Sequence, residues 1–387
     1  MQFVHSEEQR LIRESARSFL AARADAAQLR AAMSQPGGYD LGLWREMAAE
    51  LGWAGLAIAS DCGGAGLGWV ELCILQEEQG RRLVASPFFS TVALAAPIID
   101  AVASDAQRRA LLGRIAAGEL RIGCAVSGAD GRPPCEGIAV ELRGAREAYT
   151  LNGVSDFVIH GDSAELLLVL ARAPGSSGTG DISVAVIPAR SAGVTIHPHV
   201  MLDLTRPMSR VEFAAVAVGR DQLLSEPGAA GETVQRGLDL ARIALASEAL
   251  GGAERVLEMT TEYARQRKQF GRPIGSFQAI KHRLADMMVE VEAAKSAAWY
   301  AACVAQERSA ELAEAAAIAK SYCCDAFFDC AANAIQLHGG IGFTWEHEVQ
   351  LYFKRARASA MLLGSPAWQR ERLVRLFAAG AAATPAF

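Results

Sequence analysis

No Cys-x-x-Cys pair occurs in this 387-residue sequence, and its eight cysteines (62, 73, 124, 135, 303, 323, 324 and 330) show no His/Cys cluster at zinc spacing. They read as buried, reduced thiols; no metal site is expected, and the adjacent Cys323-Cys324 pair is packing rather than redox chemistry. No apolar run reaches the ~18 residues that span a bilayer. The opening Met-Gln-Phe-Val-His-Ser-Glu-Glu lacks the charged and apolar regions of a signal peptide, and its acidic pair argues against a transit peptide. A cytoplasmic location is expected. Neither sign of charge dominates: 38 Lys+Arg against 43 Asp+Glu leave a net charge of −5, which argues against a nucleic-acid footprint. HExxH, GxSxG and P-loop motifs are also missing. The glycine-rich Asp61-Cys-Gly-Gly-Ala-Gly-Leu-Gly68 lacks a Lys-Ser/Thr and fails the GxGxxG spacing, so it reads as a flexible turn.

What is present is an ordinary globular composition, 51% hydrophobic and 21% charged, with length for two or three domains. Three regimes divide the chain: a helical N-terminal domain (1–118), a central β-domain (119–222) and a C-terminal helical bundle (223–387). In the first helix Leu11, Ala16, Phe19 and Leu20 are assigned to one apolar face. The central regime holds short apolar runs, Ile138–Leu142, Tyr149–Gly153, Glu165–Leu170, Ile182–Ile187, Gly193–Ile196 and Arg210–Phe213. No helix of ten residues separates them, so an antiparallel sheet or barrel is expected rather than a parallel Rossmann sheet. Pro174–Asp181 reads as a surface hairpin loop.

The bundle's first helix runs from near Thr233 to Phe270, where Gly271-Arg-Pro273 stops it. Ser276 is placed as N-cap of the next, with Phe277, Ile280, Leu284, Met287, Met288 and Val291 at helical spacing. A third helix ends at His338-Gly339-Gly340 with glycine as left-handed cap. A fourth ends near Leu363-Gly364, and Ser365-Pro366 opens the last. Such helices pack as an antiparallel four-helix bundle. The fold class is α+β.

Two segments carry more polar chemistry than a bundle needs. Arg265-Gln-Arg-Lys-Gln-Phe-Gly-Arg272 places four cations around one aromatic. They either stabilise a helix C-terminus or bind a pyrophosphate through guanidinium groups. Gln336-Leu-His-Gly-Gly-Ile-Gly342 is either a capped helix end or a place where backbone amides approach a phosphate.

Arg267-Lys-Gln-Phe-Gly-Arg-Pro-Ile-Gly-Ser-Phe-Gln278 resembles the RxxFGxxxxxxQ signature of acyl-CoA dehydrogenases. Ala334–Phe343 resembles their second signature at the matching separation. Gly52-Trp-Ala-Gly-Leu-Ala-Ile-Ala with Gly63-Gly64 resembles an N-terminal stretch of the family, and Tyr149–Gly153 leading to Phe157-Val-Ile159 its β-domain segment. The resemblance spans the chain in order. It implies FAD between the β-domain and the bundle, and a homotetramer or a heterotetramer with a homologous chain. It also implies an acyl-CoA substrate and an electron-transfer flavoprotein or similar acceptor. Residue by residue it implies FAD contacts at Arg267, Gln269, Phe270, Phe277 and Gln278, and diphosphate contacts at Gln336, Leu337, His338, Gly339 and Gly340. Phe157, Ile159 and Ser365 join the cofactor set, and Asp239, Arg242 and Gly364 the substrate set. Ile159 stands where relatives have a Thr or Ser hydroxyl for the flavin. Val126–Pro134 replaces the family's Thr-Glu-Pro-Gly-x-Gly-Ser-Asp run.

The family reaction takes the α-proton of an acyl thioester with a carboxylate while hydride leaves the β-carbon. Relatives place that glutamate at one of two positions, occupied here by Leu363 and Ala241. Neither side chain accepts a proton. The backbone N–H of Leu363 would still polarise a thioester carbonyl. Glu248, two turns from Ala241 on the same face, and Asp239 are the remaining candidates for the base. Three roles are therefore open: a dehydrogenase with its base elsewhere, a base-less partner subunit in an α2β2 tetramer for CoA esters with bulky or steroid side chains, and, less favoured, a flavin oxygenase or oxidase.

Overall fold

The computed structural model describes residues 4–128, 132–145, 148–178 and 180–383. Helices run from Glu7 to Ala116, strands from Ile122 to Gly219, and helices again from Gly231 onward. Packing gathers the chain into two compact units. One comprises Met1–Arg30, Trp69–Val84 and Arg242–Phe387; the other comprises Ala31–Gly68 and Ala85–Ala241.

The second unit is built on a curled seven-stranded sheet: β1 (Ile122–Ala125), β2 (Ala139–Ala145), β3 (Ala148–Ile159), β4 (Leu166–Arg172), β5 (Ile182–Pro188), β6 (Val194–Pro198) and β7 (Met208–Gly219). The order is β1-β4-β2-β3-β7-β6, with β5 also on β4. Pairs β2–β3, β3–β7, β4–β5 and β6–β7 are antiparallel, as expected. Pairs β1–β4 and β2–β4 are parallel, which the strand pattern did not foretell. Strand β1 has only four residues, all buried, too few to show a period of two. Its Ile122 N–H donates to Thr91 Oγ1 (3.0 Å) on the helical segment beside it. The core joins Leu142, Leu151, Leu167, Ile187, Phe213 and Val216 from five strands.

The glycine-rich loop expected to flex is instead anchored. Ala65, Gly66 and Leu67 donate their amides to the carbonyls of Gly55, Ile58 and Leu56 at 2.9–3.0 Å.

In the first unit, Glu7–Arg23 is helical behind a Ser6/Gln9 capping box, where serine oxygen and glutamine amide satisfy otherwise orphaned donors. Ala16 and Leu20 are buried, whereas Leu11 is exposed. Five residues carry it ~500° round the helix from Ala16, off the shared face. Arg13 and Arg17 pair with Glu77 and Glu78 (2.5 and 2.6 Å) on the helix Trp69–Arg82. That helix crosses the helix Gly231–Gln266 at backbone contact. A Cβ added to Gly80 would lie 2.0 Å from the Glu248 carbonyl oxygen, and one added to Gly251 would lie 1.8 Å from that of Glu77.

The remaining helices are Gln278–Gln306, Leu312–His338, Val349–Met361 and Pro366–Ala383. Ser365 caps the last as expected, accepting from the Trp368 amide (3.3 Å). Ser276 does not cap: Phe277 occupies the N-cap position, and the Ser276 hydroxyl donates to the Pro273 carbonyl (2.7 Å). All eight cysteines are buried and none is in a disulfide. Among the described residues no helix is long and apolar enough to cross a membrane, and no cluster of His, Cys, Asp or Glu is placed to hold a metal.

Candidate functional site

The first signature segment leaves the helix earlier than its sequence implies. The helix ends at Gln266, not Phe270, and residues 268–273 turn back as a small hairpin pairing Lys268 with Pro273 and Gln269 with Arg272. Phe270 (φ +53°) and Gly271 (φ +79°) form its tip, and positive φ at both central residues is the type I′ signature. Phe270 is thereby 91% exposed. Arg272 stacks its guanidinium 4.2 Å over the Phe277 ring. Arg267, Gln269 and Gln278 are exposed.

The second signature is the end of Leu312–His338. Gly339 has φ +66° and ψ −143°, a region essentially reserved for glycine. Gln336, Gly339 and Gly340 are exposed, and Leu337 and His338 are buried. The His338 imidazole, kept below its ordinary pKa chiefly by burial, bonds through Nδ1 to the Ala334 carbonyl (2.8 Å). Tyr263, three residues before the first helix ends, stacks on it at 4.3 Å and donates its hydroxyl to the His338 carbonyl (3.2 Å). The two signatures are thus joined through Tyr263 and His338, a link the sequence alone did not reveal.

On β3, Phe157 is 42% exposed at φ +56°, and Ile159 is buried. Phe157 stacks on His199. In the segment 126–134, residues 129–131 lie outside the described residues.

At the two base positions the structure shows apolar, buried side chains: Leu363 is 3% exposed and Ala241 0%. Leu363 (φ +57°) and Gly364 (φ +99°) form a left-handed turn. Three buried side chains hold its carbonyls. Arg242 Nε and Gln369 Nε2 donate to Leu363 O (3.1 and 3.0 Å), and Lys320 Nζ donates to Gly364 O (3.2 Å) and Ala360 O (3.0 Å). Arg242 also lies over the Trp368 ring. Burial holds the Lys320 ammonium below its ordinary pKa. Lys320 was not singled out from sequence. The available signal was a lone cation in the apolar run from Ala315 to Cys324. Asp239 is buried on the long helix. Glu248 is also buried, and its carboxylate accepts from Arg355 Nη1 (2.9 Å). The carboxylate is thereby paired with a buried guanidinium.

The acyl-CoA dehydrogenase C-terminal domain model matches residues 231–377, and the N-terminal domain model matches residues 6–119. Acyl-CoA dehydrogenase IpdE2 of Mycobacterium tuberculosis is 36% identical over 370 residues, covering 96% of each chain. The chain belongs to the acyl-CoA dehydrogenase family. Among solved structures, the ChsE4–ChsE5 complex from Mycobacterium tuberculosis is similar with a TM-score of 0.88 at 26% identity, covering 100% of both chains. The Tcur3481–Tcur3483 steroid ACAD gives 0.87 at 30% identity, covering 97% of this chain and 99% of the other.

Members of this family bind FAD. The residues present suit it. Arg267 offers a guanidinium, Gln269, Gln278 and Gln336 offer exposed amides, and a Cβ built on Gly339 or Gly340 would meet nothing within 4 Å. Exposed guanidinium and amide donors and open glycine backbone are what a diphosphate requires.

Proposed function

We propose that this chain is the base-less subunit of a two-chain acyl-CoA dehydrogenase acting on a CoA thioester with a steroid or other bulky side chain. The observation that carries this reading is the pair of buried apolar residues, Leu363 and Ala241, at both positions where relatives hold the catalytic glutamate. Glu248 does not replace them, because it is committed to Arg355. Without a base the chain forgoes a contribution of ~10² to 10⁴ in rate. The similar solved structures support the pairing and the substrate class, since one is the ChsE4–ChsE5 complex and the other a steroid ACAD.

Bound FAD supplies the hydride acceptor in α,β-dehydrogenation. In this reading Arg267, Gln269, Phe270, Phe277 and Gln278 contact FAD, and Gln336, Leu337, His338, Gly339 and Gly340 cradle its diphosphate. Arg242, Lys320 and Gln369 keep the Leu363–Gly364 turn rigid, and Asp239 faces the CoA portion. Electrons leave to an electron-transfer flavoprotein or a similar acceptor in the cytoplasm.

The test is expression of the chain alone and together with a base-bearing homologue. Flavin content per chain and anaerobic bleaching by a steroid side-chain CoA ester are measured in both. Bleaching by the co-expressed pair alone is the expected result. One FAD per chain with full bleaching by this chain on its own would overturn the reading and restore a base from another position.

A further inference from the structure

Between Ser155 and Val158 the register of β3 against β7 shifts: Ser155 faces Val211 and Val158 faces Ser209. Asp156 and Phe157 together therefore oppose Arg210 alone. Such a bulge re-aims a side chain and often marks a functional edge. Phe157 takes φ +56° there, a conformation that costs a bulky residue free energy and persists only when its surroundings over-determine it.

The surroundings are specific. Asp156 is buried, and its two oxygens serve three groups, one of them the Phe157 amide, which donates to Oδ1 at 3.3 Å. His199 Nε2 bonds to Oδ1, and Arg210 Nη1 approaches Oδ2 at 3.3 Å. The His199 amide is fixed to the Met208 carbonyl (2.9 Å). Its imidazole then lies against the Phe157 ring with centroids 5.4 Å apart and planes 28° from parallel. A buried carboxylate thus holds the Phe157 amide and orients the His199 imidazole, and that imidazole supports one exposed, strained phenylalanine ring.

We propose that His199, oriented by Asp156, is the positioning residue that fixes the Phe157 ring as a stacking wall for the isoalloxazine of FAD. The inference rests on the FAD-binding reading above. It gains weight from Ile159, which is buried and has no hydroxyl to offer the flavin. A ring free to swing would lose the stacking contact. His199 acts through Phe157 and takes no part in bond breaking.

A double-mutant cycle on the chain co-expressed with its homologue tests this. FAD dissociation constant, flavin midpoint potential and the shape of the bound flavin's visible band are read for Phe157→Ala, His199→Ala and the double variant. His199→Phe keeps an aromatic partner but loses the bond to Asp156. The expected result is that His199→Ala weakens FAD binding and shifts the potential nearly as much as Phe157→Ala, and that the double variant adds little further. His199→Phe should recover part of the loss. In the FAD-free chain a downfield imidazole N–H resonance, present in the parent and lost in Asp156→Asn, reports the orienting bond without the cofactor. Unchanged flavin properties in His199→Ala, or additive effects in the double variant, overturn the inference while FAD binding stands. A parent assembly whose flavin is insensitive to Phe157→Ala also overturns it. An assembly that takes up no FAD at all overturns the cofactor reading itself.

Discussion

Arg355 Nη1 donates to the Glu248 carboxylate at 2.9 Å, with both side chains buried. The pair makes the nearest glutamate on the long helix part of the core, in keeping with the base-less role proposed for the chain. Glu248→Gln should leave turnover of the co-expressed assembly within about twofold, where loss of a true general base would cost ~10² to 10⁴. Both Glu248→Gln and Arg355→Met should cost stability, because each strands one buried charge of the pair, and losing one partner costs ~3 to 5 kcal/mol. Urea unfolding midpoints measure both losses separately from turnover.

The turn at Leu363 and Gly364 is clamped by Arg242, Lys320 and Gln369, so the backbone at the empty base position is already built. Leu363→Glu should therefore give this chain measurable flavin bleaching with an acyl-CoA, and Leu363→Gln, similar in size but unable to take a proton, should not. The expected difference between them is ~10²-fold or more. Equal bleaching rates for the two would place the base elsewhere.

Much of this architecture was legible because it is locally encoded. The run Ser365-Pro366 announces a helix start, and the structure begins one at Pro366. Gly339 marks a helix end in a conformation only glycine adopts readily. The apolar runs between residues 138 and 213 became strands, although β3 (Ala148–Ile159) and β7 (Met208–Gly219) extend well beyond theirs. What was hidden depends on partners distant in sequence. Strand β1 is defined by pairing with β4, not by its own four residues. The hairpin at residues 268–273 hides in a cationic stretch that reads as a helix C-terminus. Tyr263 meets His338 across 75 positions, and no pattern within either segment predicts that contact. The same holds for His199 against Phe157. Both signatures were recognisable as segments; their side-chain neighbours were not.

Glu77 is fully buried, and burial pushes its carboxyl up to about 7, ahead of the opposing pull of Arg13. A folded-state pKa above the ordinary value near 4.5 means that the native state binds more protons than the unfolded one between those two pH values. The contribution of Glu77 to stability is thus complete below about pH 4.5 and is lost as pH rises toward 7. The slope is at most ~1.4 kcal/mol per pH unit. Glu77→Gln should abolish this component, so the stability difference between parent and variant should change with pH across that window. Chemical denaturation at half-unit steps from pH 4.5 to 7.5 measures it. A difference independent of pH would show that Glu77 stays ionised throughout.

The crossing of Trp69–Arg82 with Gly231–Gln266 depends on two glycines set against each other's helix: Gly80 on Glu248, Gly251 on Glu77. A methyl group at either position would overlap a backbone carbonyl at 2.0 or 1.8 Å, and backbone yields less readily than a side-chain tip. Each of Gly80→Ala and Gly251→Ala should cost ~1 to 3 kcal/mol or more through overpacking, where alanine in an open helical position would gain ~1 kcal/mol over glycine. The double variant should cost less than the sum, because the first methyl already forces the helices apart. Gly180→Ala is the control: its added Cβ meets nothing within 4 Å, and its effect should stay within ~0.5 kcal/mol. Thermal and urea unfolding of the four variants decide the matter. Neutral effects at Gly80 and Gly251 would mean that these helices do not meet at backbone contact.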